Sequence, residues 1–137
     1  MRPRLTAMAL VAAVCAAQAQ PAQDEAWAIY RQFDETVAAT GNWHKKSEQA
    51  RHQARQHADV LIQRAERLWG TAATGPGAAC RAAAIAHKSY VIDLNDYAGI
   101  VSGQAQIGTP ADLFAPSFKA VGFGEQKAAC RAYIDSL

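Results

Sequence analysis

The chain has 137 residues, half of them hydrophobic by type, with 14 Lys and Arg against 12 Asp and Glu. Arg2 and Arg4 stand ahead of an apolar run from Leu5 to Ala17 that closes with Ala17-Gln18-Ala19, the small-x-small pattern a signal peptidase cuts. Without residues 1–19, 12 basic residues face 12 acidic ones, and this formally neutral remainder lacks the cation excess that nucleic-acid binding by phosphate neutralisation requires.

The apolar run is shorter than the roughly 20 residues that span a bilayer, so it reads as a cleaved leader rather than an anchor. Val14 precedes Cys15 where lipid attachment would want a small residue, which argues against a lipoprotein. The expectation is an exported, periplasmic or secreted protein with no stable membrane insertion after cleavage. Residues 20–137 are of a length that suits one domain with a real core.

Four segments have helical periodicity and none alternates as a half-buried strand would. The first helix is expected over Asp24 to Thr40, with Asp24 at its start, Trp27, Tyr30, Phe33 and Val37 on one apolar stripe, and Gly41 as its C-terminal cap. The second runs from Asn42 or Trp43 to Trp69 on a stripe of Ala50, Ala54, His57, Leu61, Ala65 and Leu68, whose small residues invite a close neighbour. Residues 70–77 (GTAATGPG) are a connection, since Gly and Pro do not continue a helix cheaply. The third helix covers Ala78 to Ser102, with Cys80, Ala84, His87, Val91, Leu94, Ala98 and Val101 facing one way and Tyr90 and Tyr97 flanking them.

Residues 103–124 turn to Gly, Pro, Thr and Ser, with Thr109-Pro110 resembling a helix start and a short turn of helix at Ala111 to Phe114. Leu113, Phe114, Phe118, Val121 and Phe123 make that stretch apolar enough to fold back over an open side of the molecule. The last helix is expected over Glu125 to Ser136, with Ala129, Cys130, Tyr133, Ile134 and Leu137 inward. The fold class is therefore all-α, an up-and-down bundle of about four helices.

The pentapeptide AACRA occurs at residues 78–82 and again at 128–132, and each copy holds one of the two cysteines beyond the leader. The flanking residues diverge, so this is no stackable repeat. Each Cys stands alone and is followed by Arg, which excludes the paired-cysteine-histidine signature of covalent haem. Two isolated Cys with scattered His are also a poor zinc set. In an exported chain the pair points to a Cys80–Cys130 disulfide of structural role, because oxidising compartments favour the bridge and a redox pair more often shows CxxC.

No Ser-His-Asp, Cys-His or phosphate-loop signature is present, and no two histidines are four apart as helical metal ligands would be. His57 and His87 fall on apolar stripes, where an imidazole needs a hydrogen-bond partner. Together with Tyr90, Tyr97 and the carboxylates Asp93 and Asp96 they make a candidate ligand pocket in the bundle core. Convergence of His87, Asp93 and Asp96 in one cleft would favour an enzyme. The second helix carries more Lys and Arg than acids on a charge-rich face, with Trp43, Arg51 and Arg55 as candidate docking anchors for an acidic partner. The resulting expectation is an exported, non-catalytic helical binding protein, such as an inhibitor or immunity-type protein acting on another exported protein, an enzyme or toxin. A periplasmic small-ligand or metal carrier and an envelope-stress chaperone are the alternatives. Nothing in the sequence calls for a cofactor or a bound metal.

Overall fold

The structure, a computed structural model, describes the backbone of residues 6–103 and 111–137 and the side chains of residues 22–103 and 119–137. The leader reading at 1–19 and the expectations for Thr109-Pro110, Leu113, Phe114 and Phe118 concern side chains outside that set. The chain forms α1 (Thr6–Ala39), a 3-10 helix (Thr40–Lys45), α2 (Glu48–Trp69), α3 (Ala78–Val101) and α4 (Ala111–Asp135). The four α-helices pack as an up-and-down bundle in which α3 makes its widest interface with α4 and its next with α2. Among the described residues there is no strand, and no helix is long and apolar enough to cross a membrane.

Phe33 and Ile29 from α1, Leu61 from α2, His87 and Val91 from α3, and Phe123 and Ile134 from α4 are the largest fully buried side chains. Each such aliphatic or aromatic side chain contributes about 1.5–3 kcal/mol by leaving water. Phe33 meets Phe123 edge-on at 5.7 Å between centroids, a geometry the ring quadrupoles favour. Cys80 in the first turn of α3 is bonded to Cys130 near the end of α4, and both are fully buried. The expected disulfide is therefore part of the core.

Several boundaries differ from expectation for identifiable reasons. Asp24 lies inside α1 rather than at its start. Gly41 does not cap α1: the backbone tightens into the 3-10 helix, and Gly41 is not among the glycines with positive φ. The second helix starts at Glu48 rather than at 42 or 43, because the Ser47 hydroxyl accepts the Ala50 amide at 3.1 Å and fixes the N-terminus there. Among the described residues α4 runs unbroken from Ala111, through Pro116, Gly122 and Gly124, where only a short turn and a later helix were expected. Burying Phe123 to 1 % exposure against α1 and α3 overrides the weak helix propensity of its two flanking glycines.

Several side chains assigned inward point out: Val37 is 47 % exposed, Val101 52 % and Leu137 58 %, and Ala129 and His57 are exposed as well. The corner between α2 and α3 is closed by Gly77, whose φ of +76° is the left-handed region. A Cβ there would lie 2.0 Å from Cδ1 of Trp69, so glycine is required both for conformation and for space.

Candidate functional site

Gln32, Thr36 and Thr40 recur every four residues on one row of α1 and its 3-10 continuation, and this row organises the polar contacts to α2 and α3. The Thr36 hydroxyl donates to the Gln32 carbonyl at 3.2 Å. It therefore accepts from Nε2–H of His87 at 2.8 Å, which leaves Nδ1 of that ring as an acceptor with no hydrogen-bond partner among the described residues. One turn on, the Thr40 hydroxyl donates to the Thr36 carbonyl at 3.1 Å and accepts from the Tyr90 phenol at 2.9 Å. One turn back, Oε1 of Gln32 accepts from Nε2 of His57 at 2.8 Å. Each rung uses a donor of α2 or α3 on an acceptor of α1 or, at Thr40, of the 3-10 helix.

His87 is 2 % exposed and lies between Phe33 and Phe123, 5.3 and 5.4 Å from their ring centroids. Burial, with a smaller contribution from nearby His57, pushes its pKa down to about 4. It is a neutral core imidazole at physiological pH. His57, expected on the inner stripe, is exposed on the outer edge of α2. The inner face there is instead marked by Arg51 and Ala58.

The docking anchors are corrected likewise. Trp43 is 4 % exposed, and its indole donates to Oδ1 of Asn95 at 2.8 Å. Arg51 is 7 % exposed and donates to the Lys46 carbonyl at 3.0 Å. Asn95 completes the link by donating to the Arg51 carbonyl at 2.9 Å. Both anchors thus tie the 3-10 helix and the start of α2 to α3, and of the three only Arg55 is exposed.

The carboxylates do not join the histidine. Asp93 is half-buried and faces Lys119 of α4, whose ammonium lies 3.9 Å from Oδ2. Desolvation raises its pKa above the usual carboxylate range, Lys119 opposes that, and Asp96 adds to it. Asp96 is exposed and Tyr97 half-buried. Among the described residues no three His, Cys, Asp or Glu side chains are grouped to hold a metal ion.

A pocket does exist, at the junction of α1, α3 and α4. It is half-open, about 260 Å³ in volume, and is lined by Tyr30, Val37, Tyr90, Phe123, Gly124 and Lys127, with Ala120 and Ala128 completing the α4 wall. Gly124 is exposed on the α4 wall, and a Cβ placed there meets nothing within 4 Å, so a larger residue fits without a clash. The Lys127 ammonium pairs with Asp34 and lies 5.1 Å from the Tyr30 ring centroid. Burial works against its charge, yet the hydrogen bonds to Asp34 and Tyr30 hold its pKa above the ordinary lysine range. Outside the pocket, Arg131 stacks on Trp27 at 4.5 Å and pairs with Asp135.

Of the six ligand-pocket residues expected from sequence, only Tyr90 lines this cavity. Tyr30, Phe123, Gly124 and Lys127 were missed. Their signal was available in part: Tyr30 stands on the aromatic stripe of α1, and Gly-Phe-Gly at 122–124 marks a bulky side chain set between two gaps. A second, shallower cleft of about 390 Å³ between α1 and α2 is lined by polar groups including Glu35, Gln53 and His57. Trp43, Ala39, Ala50 and Ala54 supply its apolar part. No protein-family model, no curated protein and no solved structure matches the chain, so these side chains are the ground on which its function is argued.

Proposed function

We propose that the chain is an exported, non-catalytic helical binding protein that holds a small ligand in the α1/α3/α4 pocket. The observation that carries this reading is the pocket itself: a cavity walled by three aromatic rings, with a single ammonium among its lining residues. Small-molecule sites are typically concave, mostly apolar and supplied with few polar groups, and this one has that composition. Export is supported by the Arg2/Arg4 leader pattern and by the disulfide, which oxidising compartments favour. The docking form of the same idea, an inhibitor or immunity-type protein using α2 against an exported enzyme or toxin, keeps Arg55 alone of its three anchors.

Native mass spectrometry of gently purified protein, beside a thermal-shift screen of small apolar compounds, tests the reading. A bound or stabilising molecule is expected for the wild type and not for Gly124→Leu. A protein that neither carries nor responds to any compound, or a plugged variant that responds equally, would overturn it.

A further inference from the structure

We infer that the α1/α3/α4 pocket is shaped for a monocyclic aryl carboxylate, its ring against Phe123 and the two tyrosines and its carboxylate on the Lys127 ammonium. This rests on the proposal that the pocket is a binding site and adds the chemistry of the occupant.

Size sets the first limit. Apolar cavities of roughly 150 Å³ hold benzene, and a water occupies roughly 30 Å³ of liquid. The pocket's volume of about 260 Å³ therefore has room for one aromatic ring with a short polar arm. The walls set the second. Tyr30, Tyr90 and Phe123 line it at 6, 4 and 1 % exposure, so the aromatic surface they offer is a narrow strip, which an aromatic guest meets in edge geometry. The Tyr90 phenol already donates to Thr40, so it serves as wall rather than as a donor to the guest.

Charge sets the third. Among the described residues Lys127 is the sole charged one lining the pocket, and its side chain is 20 % exposed, whereas its partner Asp34 is 52 % exposed. The cation is held along the Tyr30 ring and its counter-ion sits on the solvent side. An ammonium has three N–H donors, and among the described residues Asp34 and Tyr30 are its partners. A guest carboxylate meets the remaining donor in a charge-assisted bond, while an aryl amine would bring a second cation beside it. Arg131, paired with Asp135, lies 5.6 Å from the Tyr30 ring centroid and adds a second, exposed cation beside that wall.

The test uses the full oxidised chain and three probes of one shape: 3-phenylpropionate, 3-phenylpropanol and 3-phenylpropylamine, titrated by calorimetry and by amide chemical shifts. The acid is expected to bind about tenfold tighter than the alcohol, the gain typical of one charge-assisted contact, and the amine weakest. Shifts should centre on Tyr90, Phe123 and Gly124. Lys127→Met should abolish the acid's advantage over the alcohol, and Gly124→Leu should abolish binding of all three. Equal binding of acid and alcohol to the wild type would overturn the charge assignment and leave the pocket standing. Failure of all three probes, alongside a different compound that binds and is lost in Gly124→Leu, would overturn the aryl assignment alone. Binding that survives Gly124→Leu in a variant with wild-type circular dichroism would remove the pocket itself.

Discussion

Replacing His87 by Phe should remove most of the acid sensitivity of this fold. The ring is buried between Phe33 and Phe123, and its folded pKa of about 4 stands against an ordinary 6.5 in the unfolded chain. The folded pKa is the lower one, so between those values the unfolded state binds more protons. Stability from this group is fully present above pH 6.5 and drains away as pH falls towards 4. At about 1.4 kcal/mol per pH unit, the loss between pH 7.5 and 4.5 comes to about 2.5 kcal/mol, a large share of a small domain's total. A phenyl ring should seat against the same two neighbours, and the Thr36 hydroxyl keeps its bond to the Gln32 carbonyl, so the substitution orphans no donor. Urea unfolding of wild type and His87→Phe, followed by circular dichroism at both pH values, isolates the effect as a difference of differences. The wild type should lose about 2.5 kcal/mol more than the variant on acidification. Parallel losses in the two proteins would refute the account of a neutral, desolvated imidazole.

Four further outcomes follow from the packing. Reducing the Cys80–Cys130 bridge, or Cys80→Ala with Cys130→Ala, should cost about 4 kcal/mol for a closed loop of this length, measured by denaturant unfolding with and without reductant. Gly77→Ala should destabilise by about 2 kcal/mol or more, because it combines a positive φ with a clash on Trp69, and a fall in the thermal midpoint checks it. Gly122→Ala, by contrast, sits in a helix with open space around its Cβ and should raise stability by about 0.5–1 kcal/mol in the same assay. Trp43→Phe should cost about 1–3 kcal/mol by leaving Asn95 short of a donor, whereas Arg55→Ala on the exposed face should change stability by less than about 0.5 kcal/mol; denaturant midpoints separate the two.

The bundle was legible because four periodic segments carry bulk at regular spacing, and the bridge because two cysteines remain in a chain whose first residues read as an export leader. The bounds of the third helix were close for the same reason: Gly77 and Gly103 bracket it with positive φ. The second helix was read about one residue out of phase in its first half. Alanines at 50, 54 and 58 give no size contrast, so sequence could not tell that Arg51 and Ala58 face inward while His57 does not. Trp43 resembled a surface anchor because the 3-10 turn that rotates it onto Asn95 has no strong sequence signature. Continuity of α4 was hidden by Pro116 and two glycines, whose local preference loses to the burial of Phe123. The pocket escaped for a related reason. It is built by three helices whose separations along the chain are long, and residues such as Lys127 and Asp34 become neighbours only after the helices have docked.

The covalent link between Cys80 and Cys130 also governs what a protease can achieve. A single backbone scission anywhere between those positions opens the chain but releases no fragment, since each end stays bolted to the other through sulfur. The two fragments stay linked, at an effective concentration that a free peptide could not reach, and can dock again. Loss of a fragment by cleavage in that stretch therefore requires two events, a cut and a reduction.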